Sequence, residues 1–418
     1  MTASTEVASD LENLYRNVRK RTLDLVKPLT RDDFMVQSVP EASPPKWHLA
    51  HTTWFFDRFV LREYAKSWKV PDENFDFLFN SYYETLGPYM QKISRNSLSR
   101  PSLEEVYDYR QSVDEAVLNV VNENTGDSNL IQLIELGINH EEQHQELLLM
   151  DIKINYYASP YKPSYTDKKT GSHDSEMWFV QMDGGINEVG YGREGFSFDN
   201  ERPRHRILIH PYRISSRPIN NGEFIRFIED GGYERPELWL SDGWSYIREN
   251  KRKLPLYWSK DGDQYKIFKL SGEQNLNESE PLVHVSYYEA DAYARWAGLR
   301  LPTEYEWEIF AESLKECVHG NFMEESTLHP VNFSDNGTPQ ISGATWEWTS
   351  SPYIPYPGYR PYEGNLGEYN GKFMNNQYVL RGGSAVTPVR HYRNTYRNFY
   401  HPDSCWQFSG FRLAGDKS

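Results

Sequence analysis

His140 and His144 stand four residues apart in the run Gly137-Ile138-Asn139-His140-Glu141-Glu142-Gln143-His144-Gln145-Glu146. On a helix, residues four apart lie about 40° apart around the axis and one turn apart along it, so both imidazoles can reach one metal ion. The pair is half of a coordination site. A second cluster upstream, Trp47-His48-Leu49-Ala50-His51, offers the missing ligand. Three neutral imidazoles with open positions suit Fe, Cu or Zn.

Two other readings of the same residues stand beside this one. A buried histidine is often only a satisfied core residue. His140-Glu141-x-x-His144 also matches the zinc-protease pattern, with Glu141 as general base. That chemistry needs a third ligand just downstream and a sheet edge for the peptide, and the sequence offers neither.

The elements that must position these side chains follow from periodicity. Leu11, Leu14, Val18, Leu23 and Leu25 recur at helical spacing, which predicts a first helix over about Ser9 to Val26. Ser43 before Pro44 predicts an N-cap with proline at the first helical position, opening a second helix that carries His48 and His51 toward Tyr64. Ser102-Leu103-Glu104-Glu105 is a capping box for a third helix to about Asn122. The turn Asn124 to Ser128 leads into a fourth, whose apolar residues (Ile131, Leu133, Ile134, Leu136, Ile138, then Leu147 to Met150) predict burial on more than one face. Four such helices suggest an antiparallel bundle with inward-facing ligands.

Between the second and third helices lies a long loop holding Tyr82, Tyr83, Arg95 and Arg100, and loops of that length inside a bundle are commonly functional. The tyrosines are candidate proton donors, or packing aromatics. The arginines could grip a carboxylate in forked geometry, or be surface charges.

A length of 418 residues favours two domains. We place a helical domain at 1–158, a Pro-, Ser-, Lys- and Gly-rich linker at 159–175 and a second domain at 176–418. The second has short strands and turns, with proper helices expected only at Asn220 to Ile228 and Tyr287 to Ala297, so its class is irregular α+β. Aromatics make up 15% of the chain, with 30 Tyr and 12 Trp, which suits a loop-rich fold held by ring packing and side-chain hydrogen bonds. A net charge of -15 argues against nucleic acid or an anionic membrane surface as partner. Two cysteines, Cys317 and Cys405, exclude a disulfide scaffold and point to a reducing compartment. Neither a leader nor a membrane-length apolar run is legible, so a cytoplasmic location is expected.

The second half carries ordered motifs: Asp199-Asn200-Glu201-Arg202-Pro203, Pro218-Ile219-Asn220-Asn221-Gly222-Glu223-Phe224, Arg300-Leu301-Pro302-Thr303-Glu304-Tyr305-Glu306-Trp307, Trp346-Glu347-Trp348 and Arg381-Gly382-Gly383-Ser384. These resemble the signatures of the formylglycine-generating-enzyme domain, which implies a C-type-lectin-like fold. That enzyme works through a cysteine pair, and Cys405 stands alone here, so copper–thiol chemistry is not expected. With a DinB-like four-helix bundle in front, the whole chain resembles the ergothioneine sulfoxide synthases (hercynine oxygenases).

That resemblance implies a nonheme Fe(II) held by His51, His140 and His144, with His48 a supporting neighbour. It implies O2-dependent joining of a cysteine-type thiol to carbon 2 of the imidazole of hercynine, with oxidation of the sulfur to the sulfoxide. Gln143 and Asn398 would orient the trimethylammonium substrate, with Phe399 and Tyr400 lining its pocket, which suits a permanent cation. Since Asn398 belongs to the second domain, the site is expected between the domains. One branch of the family takes its proton-donating tyrosine from the lectin-like domain and another from a Tyr-Tyr pair after the second helix. Tyr82 and Tyr83 occupy the latter place, with Tyr353, Tyr356, Tyr359 and Tyr362 in reserve. The acidic residue and arginine that mark γ-glutamylcysteine users are replaced by Tyr400 and residues such as Ser404. The resemblance therefore favours free cysteine, with Arg95 as carboxylate anchor. A selenium–carbon bond-forming relative acting on a selenosugar, the zinc protease and a ligand-binding module are the alternatives.

Overall fold

The computed structural model describes residues 3–171, 175–314, 320–332 and 337–416. Cys317 and residues 172–174 of the expected linker lie outside them. Contacts divide the chain into two compact units: Met1–Tyr165 with Glu363–Tyr369, and Thr166–Tyr362 with Asn370–Ser418. The expected architecture, helical bundle followed by α+β, is present. Among the described residues no helix is long and apolar enough to cross a membrane.

The first unit is built on α1 (Ala3–Val26), α2 (Pro45–Phe56), α3 (Leu103–Glu123) and α4 (Ser128–Ala158). On α1 the buried positions Leu11, Tyr15, Val18, Thr22 and Val26 form one stripe at spacings of three and four. All twelve residues of α2 are buried, so this helix is the centre of the bundle, in contact with α3 and α4. Full burial of Trp47, Trp54, Phe55 and Phe56 contributes about 1.5–3 kcal/mol each. The close approach of α2 and α4 depends on Gly137. A Cβ there would sit 2.5 Å from Cε1 of Phe56, so any larger residue would displace the Phe55 and Phe56 rings at the contact between the helices that carry the histidines.

The capping box Ser102–Glu105 forms as expected, and Asp127 caps α4 through Asn129 and Leu130 N–H. The expected Ser43 cap does not. Pro44 takes the cap position and Pro45 the first helical one, because the Ser43 amide donates to Asp151 Oδ2 (2.8 Å) and its hydroxyl accepts from Arg95 (2.8 Å). Beyond Phe56 the path continues to Tyr64 through a π-helical turn, Asp57–Leu61.

The second unit packs short sheets around Tyr212, Ile214, Trp307, Phe310 and Ile341. One antiparallel sheet joins Phe179–Met182, Tyr212–Ser215 and Ala414–Asp416. A four-stranded sheet runs in the order Asn398–Tyr400, Tyr378–Arg381, Trp346–Pro352, Ser409–Gly410. The expected helices occur at Asn221–Glu229 and Tyr287–Trp296. Two more, Ser241–Glu249 and Glu304–Ser313, correct the expectation of only two. The latter is started by a Thr303–Glu306 capping box and buries Trp307 and Phe310, a pattern hidden in a short run of acids and aromatics.

Candidate metal centre

His51, His140 and His144 converge, each offering one ring nitrogen, with these atoms all within 4.8 Å of one another and all three residues buried. Nε2 of His51 lies 3.1 Å from Nε2 of His140. Bonds of about 2 Å to a common ion require neighbouring nitrogens roughly 3 Å apart, so the set fits a metal.

The protonation states suit ligation as well. Burial lowers all three rings, His140 to about 3 and His51 and His144 well below their ordinary value, so each is neutral near pH 7 with a lone pair to give. Nδ1–H of His51 donates to the Phe79 carbonyl (2.5 Å), which directs its Nε2 lone pair at His140. Trp47 stacks on the His51 ring at 4.4 Å and 11°, and Trp54 at 5.9 Å and 19°, which fixes the ring plane.

Glu141, the base of the protease reading, is otherwise employed. Its Oε2 accepts from Arg19 Nη1 (2.9 Å), and its Oε1 accepts from Thr22 (2.6 Å) and from Arg110. Burial pushes its carboxyl up, but the two arginines outweigh that and hold it down at about 2. Arg19 also reaches Thr53 (3.1 Å) and Arg110 reaches Thr52 (3.2 Å), so one ionic cluster ties α1, α2, α3 and α4 beside the histidines. A carboxylate so engaged is a clamp, and the protease geometry is not met.

Among the other expected site residues, Tyr82 and Tyr83 are held by their amides, which donate to Asn80 Oδ1 at 3.2 and 2.9 Å. Tyr83 is fully buried, its ring against Trp54 (6.1 Å) and Phe59 (5.3 Å), while Tyr82 is half-buried. Arg95 is buried, with its guanidinium carbon 3.4 Å from the centre of the Trp47 ring. Ser43 is its hydrogen-bond partner, and among the described residues it forms no ion pair. Burial pushes it down to about 9, so it keeps its charge at neutral pH. Arg100 is exposed and donates to the Ser99 carbonyl (3.0 Å).

Gln143 accepts a hydrogen bond from the Tyr369 hydroxyl. Tyr369 is a residue the sequence reading missed. It lies in the segment that folds with the first unit, its ring 5.9 Å from His140 and 6.4 Å from Tyr82. Its position in the sequence of the second half gave no local signal for this. Asp151 was also missed: its carboxylate accepts from His48 Nε2 (2.9 Å), and a buried acid following Leu147 to Met150 was the available clue.

In the second unit Asn398, Phe399 and Tyr400 form a partly exposed strand, with Phe399 stacked on Tyr353 at 4.1 Å and 10°. The reserve tyrosines are engaged within that unit. Tyr353 accepts from Asn200 (2.9 Å), Tyr356 donates to Glu304 (3.1 Å), Tyr359 to Asp199 (3.0 Å) and Tyr362 to the Ser197 carbonyl (3.1 Å).

Residues 14–148 match the DinB superfamily, and residues 166–417 match the sulfatase-modifying factor enzyme 1-like domain. The chain is 34% identical to the hercynine oxygenase of Mycolicibacterium smegmatis over 67% of this chain and 71% of that protein. It is 31% identical to the hercynine oxygenase of Mycobacterium tuberculosis over 100% of each. The chain belongs to the hercynine oxygenase family. It is thus an oxygenase enzyme, and the three-histidine cluster lies in its DinB-like part. Similarity to the formylglycine-generating enzyme of Streptomyces coelicolor, 28% identical over 57% of this chain and 88% of that one, accompanies the match of the second part.

Proposed function

We propose that the chain is a nonheme Fe(II) sulfoxide synthase of ergothioneine biosynthesis. It joins cysteine to carbon 2 of the hercynine imidazole and oxidises the new thioether to the sulfoxide. The observation that carries this reading is the buried trio of neutral imidazoles in a chain similar along its whole length to a hercynine oxygenase. The reaction balances with O2 alone: the S–H and C2–H bonds break, the S–C bond forms, one oxygen atom goes to sulfur and the other leaves as water with the two hydrogens. Ferrous iron, when bound, supplies coordination positions and the redox chemistry that activates O2.

The protein's own residues bind, orient and supply protons. Arg95, a charged guanidinium with spare donors, anchors the carboxylate of the thiol substrate. Gln143, oriented by Tyr369, positions the trimethylammonium substrate, and Asn398, Phe399 and Tyr400 offer the dipole and ring faces that such a cation favours. A tyrosine hydroxyl delivers the proton that steers oxygen toward C–S bond formation, and the candidates are Tyr369, whose ring centre lies 5.9 Å from that of His140, and the loop pair Tyr82 and Tyr83.

The test is oxygen uptake by the Fe(II)-loaded chain given hercynine with cysteine, γ-glutamylcysteine or a selenosugar, with the product identified by mass. Uptake that requires hercynine and cysteine together, yielding the sulfoxide conjugate, is expected. Uptake with none of the three donors overturns the proposal, and a preference for another donor reassigns the substrate.

A further inference from the structure

The three histidines are alike in type but not in what stands behind them. The outer nitrogen of His51 donates to a neutral carbonyl, that of Phe79. The outer nitrogen of His140, Nδ1, is buried and has no hydrogen-bond partner among the described residues. Behind His144 stand two linked groups: Nδ1 of His144 lies 2.9 Å from Nδ1 of His48, and Nε2 of His48 lies 2.9 Å from Oδ2 of Asp151. His48 and Asp151 are buried, and the Ser43 amide holds the same carboxylate oxygen from the other side at 2.8 Å.

For neutral imidazoles, hydrogen-bond logic allows one arrangement of protons along this chain. A carboxylate only accepts, so the proton between His48 and Asp151 sits on His48 Nε2. Neutral His48 then has its lone pair on Nδ1, and His144 must donate its own Nδ1–H to it. The lone pair of His144 is left on Nε2, free for a metal. A carboxylate acting on a ligand histidine raises its basicity as a donor, and here an interposed imidazole transmits the effect.

We infer that His48 and Asp151 are positioning residues: they fix the tautomer of His144 and make it the strongest donor of the three, with His51 intermediate and His140 weakest. This rests on the reading that the three histidines hold a metal. It predicts that affinity for the metal depends on two residues that never touch it.

The test uses the full chain and Co(II) under anaerobic conditions, with affinity measured by chelator competition. Relative to the unchanged chain, His48→Phe and Asp151→Asn should each bind about 10- to 100-fold more weakly. A second readout needs no metal: nitrogen-15 shifts of the His144 ring should report an Nδ1-protonated, Nε2-free imidazole in the unchanged chain and a tautomer mixture in His48→Phe. His144→Ala is the reference. If it binds Co(II) as well as the unchanged chain, the metal reading itself fails. If it loses the metal while Asp151→Asn and His48→Phe stay within twofold of the unchanged chain, the relay is overturned and the metal reading survives. If His48→Phe does not fold, Asp151→Asn decides by affinity alone, since it keeps the shape of the carboxylate and removes its charge.

Discussion

Both units bury arginine–carboxylate clusters, and they use them to opposite ends. In the second unit Glu304 accepts from Arg381 (2.8 Å), from Arg397 through both oxygens (2.8 and 3.0 Å) and from the Tyr356 hydroxyl (3.1 Å). That cluster closes on itself and absorbs a tyrosine that could have done chemistry. In the bundle Glu141 ties Arg19, Arg110 and Thr22, while the preceding residue on the helix, His140, sets its Nε2 3.1 Å from Nε2 of His51. The difference teaches where function can sit. Polar groups satisfied by one another make a scaffold, and lone pairs held facing one another by such a scaffold make a site.

The largest effect should come from breaking either clamp. Glu141→Ala leaves the buried Arg110 guanidinium without a counter-charge among the described residues and Arg19 with Asp114 alone, and should cost about 3–5 kcal/mol, as should Glu304→Ala in the second unit, which strips Arg397 and leaves Arg381 with Glu308 alone. Hydrogen exchange separates them: Glu141→Ala should expose the amides of α4 and weaken metal binding, whereas Glu304→Ala should expose those of Glu304–Ser313. Equal loss of metal in both variants would break the distinction between scaffold and site.

Acid should probe the second unit through Glu280, which accepts from Lys269 (2.6 Å) and His329 (2.9 Å). Burial raises its carboxyl, but the two partners prevail and hold it at about 2 against an ordinary 4.5. A carboxyl depressed in the folded state stabilises above its unfolded value and loses that contribution as pH falls. Stability on the order of 3 kcal/mol should therefore drain away between about pH 4.5 and 2. Urea titrations of Glu280→Gln should show a flatter dependence in that window, and an unchanged slope would remove Glu280 from the account.

How much of this was legible follows the same division. Periodicity and capping residues revealed α1, α3 and α4, because those signals are local: the Leu11 to Val26 stripe and the Ser102–Glu105 box act within a few residues. The histidine trio was legible for the same reason in its His140–His144 half, and by family resemblance in His51. What escaped depends on distant partners. Ser43 looked like a cap, but Asp151 and Arg95 claim it. Tyr369 looked like part of the second half, and its contacts with Gln143 and His140 arise only when the chain folds back. The helix at Glu304–Ser313 was hidden because its carboxylates face inward to arginines far along the sequence, so charge did not mark an exposed face.

Tyrosines sharpen the comparison at smaller scale. Tyr356→Phe removes a hydroxyl bonded within a closed cluster and should cost about 1 kcal/mol of stability with little change in product. Tyr369→Phe should leave the melting behaviour near that of the unchanged chain and reduce sulfoxide formation about 100-fold, diverting thiol to simple oxidation. Product ratios by mass spectrometry decide it. If Tyr369→Phe keeps the ratio and Tyr82→Phe or Tyr83→Phe shifts it, the proton comes from the loop pair.

The smallest difference concerns two helix caps of the same type. Ser102 caps α3 at the surface, where its hydroxyl accepts from Glu105 N–H (3.2 Å) and the Glu105 side chain accepts from its amide (2.6 Å). Ser286 makes the same box with Glu289, but that carboxylate is buried and also accepts from Tyr233 (2.6 Å). Water can replace the surface hydroxyl, so Ser102→Ala should cost about 1 kcal/mol. No water stands in as easily at the buried cap, so Ser286→Ala should cost more, by roughly the 1–3 kcal/mol of leaving a buried polar group unpaired. Equal losses in urea titration would mean that burial adds nothing to the cap, and the contrast between open and closed polar networks would then not extend to single hydroxyls.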